Sequence, residues 1–144
     1  MGAAINLPAD ATTLVLNGKA ISDLAEGDTI TLAPVNPATS QNNAIGGGVN
    51  INERSDKGVV DVTVRVQKLS DSDKFLNNTL RKSPPEIING SSKTSFNIDG
   101  VASEESYILE NGSITTQPSN TKNSTDGNAM MEYVIRFRNG ARNL

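Results

Sequence analysis

Three carboxylates stand close together in this sequence: Asp61 in "VVDVTVRV", and Asp71 and Asp73 in "SDSDKF". Clustered carboxylates are what Ca²⁺ or Mg²⁺ takes as ligands, and a carboxylate pair is what general acid–base hydrolysis uses. The spacing argues otherwise. An EF-hand loop needs a glycine and a twelfth-position glutamate at fixed offsets, which this stretch does not supply. Asp71 and Asp73 instead fit the first turn of a helix, where the dipole favours anions, and Asp61 fits the polar side of a strand. The 144 residues include no His and no Cys. That removes the commonest general base, the commonest transition-metal ligand, thiolate sites and disulfides. No catalytic residue, metal or cofactor is expected, and the chain is read as a non-enzyme.

Two other stretches invite a chemical reading. "AIGGGVNI", 44–51, is glycine-rich, but no Lys-Ser or Lys-Thr follows it and it opens no helix, so it is neither a P-loop nor a dinucleotide fingerprint. Arg136, Arg138 and Arg142 form a basic run near the end. Glu132 precedes it, and the net charge is −3, so it reads as a solvated or inter-subunit face rather than a nucleic-acid patch. Asn77, Asn89, Asn111 and Asn123 match the glycosylation acceptor pattern. "MGAAINLPAD" has no secretion signal to give those matches meaning, and no apolar run approaches the ~20 residues that span a bilayer. A protein made in the cytoplasm, with no membrane role, is expected.

The elements that carry these residues are mostly strands. Val60, Val62, Val64 and Val66 form one face at period two, opposite Asp61, Thr63, Arg65 and Gln67. Met131, Tyr133, Ile135 and Phe137 repeat the pattern opposite Glu132, Val134, Arg136 and Arg138. "TTLVLNGKAI" reads as a hairpin about Asn17-Gly18, and "DTITLAPV" as a strand ending at Pro34. Ser70 is a helix N-cap, with Asp71 and Asp73 in the first turn and Arg81 and Lys82 in the last. About three turns follow, laid on a sheet by Phe75, Leu76 and Leu80 and ended by Pro84 and Pro85. "SFNID", "ESYILENGSITTQ" and "MMEYVIRFR" are further strands, separated by Gly100, by Asn111-Gly112 and by the polar run "PSNTKNSTDGNA". Between Pro34 and Gly58 two prolines, three successive glycines and many Asn and Ser predict a long loop. Such loops are functional or disordered, and the apolar content of "AIGGGVNI" implies that something orders this one.

The length fits one domain, 1–144, with a core thin in aromatics, since only Phe75, Phe96, Phe137, Tyr107 and Tyr133 are present. The fold class expected is mainly β: an antiparallel β-sandwich or partial barrel with one flanking α-helix.

The succession "LNGKAISDLAEGDTITL", a glycine-bearing loop, "GVVDVTVRVQKLSDSDKFLNNTL", "SFNIDG", "SYILENGSITTQPS" and "EYVIRF" resembles the tail tube proteins of contractile-tailed bacteriophages. The matching points are Gly27-Asp28 at the second strand, Ser70 capping a helix with Asn77 or Asn78 and Leu80, and Tyr133 where the family commonly carries an aromatic. The resemblance spans about 13–137 and lies in the order of weak motifs rather than one signature.

The resemblance implies a structural virion protein whose hexameric rings stack helically into the inner tail tube, a conduit for genome ejection. Its partners would be copies of itself, the tail sheath, the tape measure protein, the baseplate initiator and the tail terminator, with DNA passing transiently and non-specifically. The tube would be assembled in the host cytoplasm. The loop at about 34–58 then becomes an inter-subunit element, with Asn43, Ile45, Gly46, Gly47, Gly48, Val49 and Ile51 as its self-assembly residues. Asp61, Thr63, Arg65 and Gln67 become a lumen wall or a subunit seam. The related needle tube of a tailocin or type VI secretion system fits equally. The alternative from another class is a stand-alone carbohydrate-binding or adhesin β-sandwich.

Overall fold

The valine alternation and the alternation around Tyr133 meet side by side. A computed structural model describes residues 4–6, 12–25, 29–120 and 130–144. In it Val60–Gln67 and Met130–Asn143 are antiparallel neighbours, with Val66 opposite Met131, Val64 opposite Tyr133, Val62 opposite Ile135 and Val60 opposite Phe137. All eight side chains are buried and make up most of the core. β-branched side chains suit a pleated, half-buried surface, which is why this pairing is stable.

In chain order the strands are β1 (Ile5–Asn6), β2 (Thr12–Leu16), β3 (Lys19–Ala20), β4 (Ile30–Pro34), β5 (Thr39–Asn43), β6 (Val49–Glu53) and β7 (Val60–Gln67). Helix α1 (Asp71–Leu80) follows, then β8 (Ile88–Ile98), β9 (Val101–Thr116) and β10 (Met130–Asn143). One sheet runs β3-β2-β8-β9-β10-β7-β4, with β1 also on β8, while β5 and β6 form a separate ribbon. The architecture is mainly β and antiparallel, as expected. The Asn17-Gly18 turn between β2 and β3 takes positive φ at both residues, 48° and 80°, as a tight two-residue hairpin requires.

The sheet must curl. From β3 to β4 there are six strand spacings, about 29 Å if flat. Yet Ile21, bonded through its N–H to Leu14, is followed at once by Ser22 to Ala25, and Ala25 donates its N–H to the Arg65 carbonyl on the far side. Four residues span at most about 14 Å. This short strap therefore draws the two edges together into a partial barrel, and Gln67 seals it by donating its N–H to the Asp23 carbonyl at 2.8 Å.

Helix α1 lies over the core face at the Gln67 end. Ser70 caps it, its Oγ accepting from the Asp73 N–H at 3.3 Å. Leu76 is fully buried and Phe75 and Leu80 pack against the core. Arg81 is the C-cap, so Arg81 and Lys82 follow the helix rather than occupying its last turn.

Two further sequence expectations need correction. Asn111-Gly112 does not separate one strand from the next. Asn111 sits inside β9 with φ 54°, where an extra residue between Leu109 and Gly112 makes a bulge against Ile88 to Gly90. The strand continues because β10 pairs with it on the other side, Phe137 opposite Gly112 and Asn139 opposite Glu110. The expected loop after Pro34 likewise contains the β5–β6 ribbon. Gly27-Asp28, Asn123 and most of the "PSNTKNSTDGNA" run lie outside the described residues. Among the described residues no helix is long and apolar enough to cross a membrane.

Candidate self-assembly surfaces

The polar row of β7 is one strand in from a sheet edge. Asp61 faces Arg136 on β10 and Ala33 on β4; Thr63 faces Val134 and Thr31; Arg65 faces Glu132; Gln67 faces Met130. Asp61 accepts two hydrogen bonds from the Arg136 guanidinium, at 2.8 and 3.1 Å. Those bonds first, and the carboxylate charge second, hold Arg136 further above its usual range. With Glu132 opposite Arg65, opposite charges alternate along the row and face each other across it. Asp61, Thr63 and Arg65 are half-buried and Gln67 is exposed, so the row is a shallow wall of paired groups.

The carboxylates do not converge. Asp73 is buried beneath the helix, accepting from Tyr133 Oη at 2.7 Å and from the Leu69 N–H at 2.9 Å. Asp71 stays exposed in the first turn, and Asp61 is occupied by Arg136. The basic run disperses in the same way: Arg136 pairs with Asp61, Arg142 with Glu105, and Arg138 is exposed. Among the described residues no group of three acidic side chains could hold a metal ion.

The ribbon of β5 and β6 stands off the sheet, and every residue in its two strands is exposed. Its base is fastened. Arg54 donates to both oxygens of Asp56 at 2.9 Å, its N–H reaches the Ala38 carbonyl at 3.0 Å, and Lys57 pairs with Glu53 at 2.7 Å. The hydrogen bond from Arg54 holds the Asp56 carboxyl below its usual range, and that from Lys57 does the same for Glu53. Asn43 faces Val49 and Gln41 faces Ile51 across the two strands. The tip holds Ile45, fully exposed, and Gly46 and Gly47 at φ 99° and 96°, which a side chain would strain. Gly48 accepts the Ala44 N–H at 2.7 Å and closes the turn. The seven residues expected here are thus gathered at one ribbon end.

Two further surfaces escape sequence reasoning. β4 pairs only with β7, and β3, β2 and β1 bound the other side, so among the described residues the sheet has two open edges. β8 and β9 also run past the core as an arm turning at Asp99 and Gly100, whose inner side carries Phe96 and Ile98. The alternation of Phe96 and Ile98 was the available signal. Which side of the arm is left uncovered depends on strand lengths that composition does not give.

Comparison with protein-family models and with curated proteins finds no match. Solved structures do match in fold. A chain of the sheath–tube complex of an extracellular contractile injection system (PVC), in its extended state, superposes with a TM-score of 0.64 at 11% identity, covering 95% of this chain and 90% of that one. The sheath/tube terminator of the same system gives 0.64 at 12%, covering 96% of both chains. The tube-terminating cap of the anti-feeding prophage gives 0.65 at 13%, covering 95% and 90%. Across nearly its whole length, this chain has the tail-tube-like fold seen in contractile injection particles.

Proposed function

We propose that this chain is the structural subunit of a contractile-tail tube, forming hexameric rings that stack into the conduit through which a genome or effector is delivered. The observation that carries this reading is a sheet of the tail-tube-like fold that, among the described residues, has an open edge at each end of its strand order. An exposed edge is a template for another strand, and a heterologous contact that closes under rotation removes all edges at once. Because β7 lies inside the sheet and not at its edge, the row Asp61, Thr63, Arg65 and Gln67 serves as wall rather than seam. Sheath, tape measure protein, initiator and terminator are the partners that follow. A single tube-terminating ring is the second reading, favoured by the likeness to a terminator and a cap.

Negative-stain microscopy and light scattering of the purified chain test both. Stacked rings or tubes are expected. Single rings that never stack would favour the terminator, and a chain that stays monomeric at high concentration, even with an initiator present, would end the proposal.

A further inference from the structure

The apolar side of the arm is a groove with nothing over it among the described residues. Ile5 pairs with Ile98 there, Phe96 and Leu144 complete the apolar lining, and the Glu105–Arg142 ion pair stands at its side. Its volume is about 590 Å³. Ile5 and Leu144 are 66% and 82% exposed.

The ribbon has a matching surface. Its register places Val49 and Ile51 on one face with Asn43 and Gln41, and leaves Ser40, Asn42, Asn50 and Asn52 on the other. A two-stranded ribbon alone is marginal in water and needs a third strand or a packed surface. Its face carries no charge before Glu53, which Lys57 already neutralises, and the groove's charged pair closes on itself. Glu104 also lines the groove, and the ribbon face sets no unpaired carboxylate against it.

Position decides between possible occupants. The ribbon continues β4 and β7 beyond Pro34 and Val60; the arm continues β8 and β9 beyond the point where Asn143 faces Ser106. Val60 faces Phe137, midway along β10, so ribbon and arm project from the same end of the strands. The ribbon hangs at the β4 end of the strand order, while the arm's β8 carries β1 on the side away from β4. Rotating one copy so that its β4 edge meets the β1–β2 edge of the next therefore sets ribbon beside arm.

We propose that Val49 and Ile51 of each ribbon cover the Ile5, Phe96 and Ile98 groove of the next copy around the ring. The proposal rests on the ring reading above, but places the contact within a ring rather than between stacked rings. A ribbon face about 17 Å long and two strands wide offers roughly 170 Å², far below the ~800 Å² per partner of a stable complex. The contact therefore cannot hold two copies alone and acts only within a closing ring.

Because the chain has no cysteine, an Ile5→Cys/Ile51→Cys double variant gives clean cross-linking with a short bis-maleimide. Both positions are exposed, so folding is unaffected. The double variant should give a covalent ladder that stops at the subunit number of one ring, and an equimolar mixture of the two single variants should stop at dimers. Rings seen by microscopy without a ladder would overturn the contact and leave the ring reading standing. A ladder running past the ring size would place the ribbon on an adjacent ring and also overturn it. Monomers with neither rings nor ladder would remove the ring reading, and this contact with it.

Discussion

Tyr133 Oη donates a 2.7 Å hydrogen bond to Asp73 Oδ1, joining the middle of the core sheet to the first turn of the only helix among the described residues. The other oxygen of the same carboxylate holds the Leu69 N–H. Three elements thus share one buried acid. Tyr133→Phe removes the donor and leaves a buried carboxylate oxygen without its partner, so unfolding free energy should fall by about 2 kcal/mol. Tyr133→Phe combined with Asp73→Asn should cost less than the two single changes added together, as urea unfolding of the four proteins would show.

The same phenol gives a pH dependence. Burial first, and then the Asp73 hydrogen bond and charge, push its ionisation well above its ordinary value of 10.0. The folded chain keeps this proton where the unfolded chain has released it. Its contribution is therefore complete below pH 10 and declines above, by about 1.4 kcal/mol per pH unit. Stability measured from pH 9 to 11 should begin to fall near pH 10 in the native chain and lose that decline in Tyr133→Phe.

Close backbone approach sets two glycines apart. A Cβ on Gly90 would lie 2.2 Å from the Val15 carbonyl oxygen, and one on Gly112 would lie 2.5 Å from the Phe137 ring. The ring can tilt; the carbonyl belongs to a paired strand. Gly90→Ala should therefore cost more than Gly112→Ala, with overpacking of this kind running to about 1–3 kcal/mol or above. Thermal unfolding of the two variants decides the order.

Ile45 is fully exposed at the ribbon tip. Ile45→Asp should change unfolding free energy by no more than about 0.5 kcal/mol, as surface changes do, while reducing assembly measured by sedimentation. A variant that assembles as well as the native chain would free the ribbon tip of any role in association.

Asp61→Lys places a cation against Arg136, one strand in from the β4 edge. Exposed pairs of this kind contribute about 1 kcal/mol or less, so the chain should still fold. If the row lines the conduit, rings should still form by microscopy. Loss of rings with an intact fold would instead make the row a seam.

Much of this fold is legible in the residues because side-chain alternation has only two outcomes. Valines at every second position from Val60 to Val66 must share a face, and the same holds from Met131 to Phe137. Asn17-Gly18 and Ser70 act locally and are equally readable. Asn111-Gly112 carries the same turn signal as Asn17-Gly18, yet it becomes a bulge because two neighbouring strands hold β9 straight through it. Thr39 to Asn43 looks like loop because a ribbon exposed on both faces needs no apolar alternation. Of the candidate surfaces, the residues of the ribbon tip and polar row could be named from the chain. Their cross-strand partners, the open edges and the arm groove depend on register, which arises only once distant strands have paired.

The strap from Ile21 to Ala25 acts on the curled sheet as a hoop tie acts on a barrel. Five residues of covalent backbone, bonded at Leu14, Ser72, Gln67 and Arg65, limit how far the two edges can splay under load. If the subunits close into the proposed ring, inextensible main chain within each one resists outward pressure before the contacts between neighbours are strained.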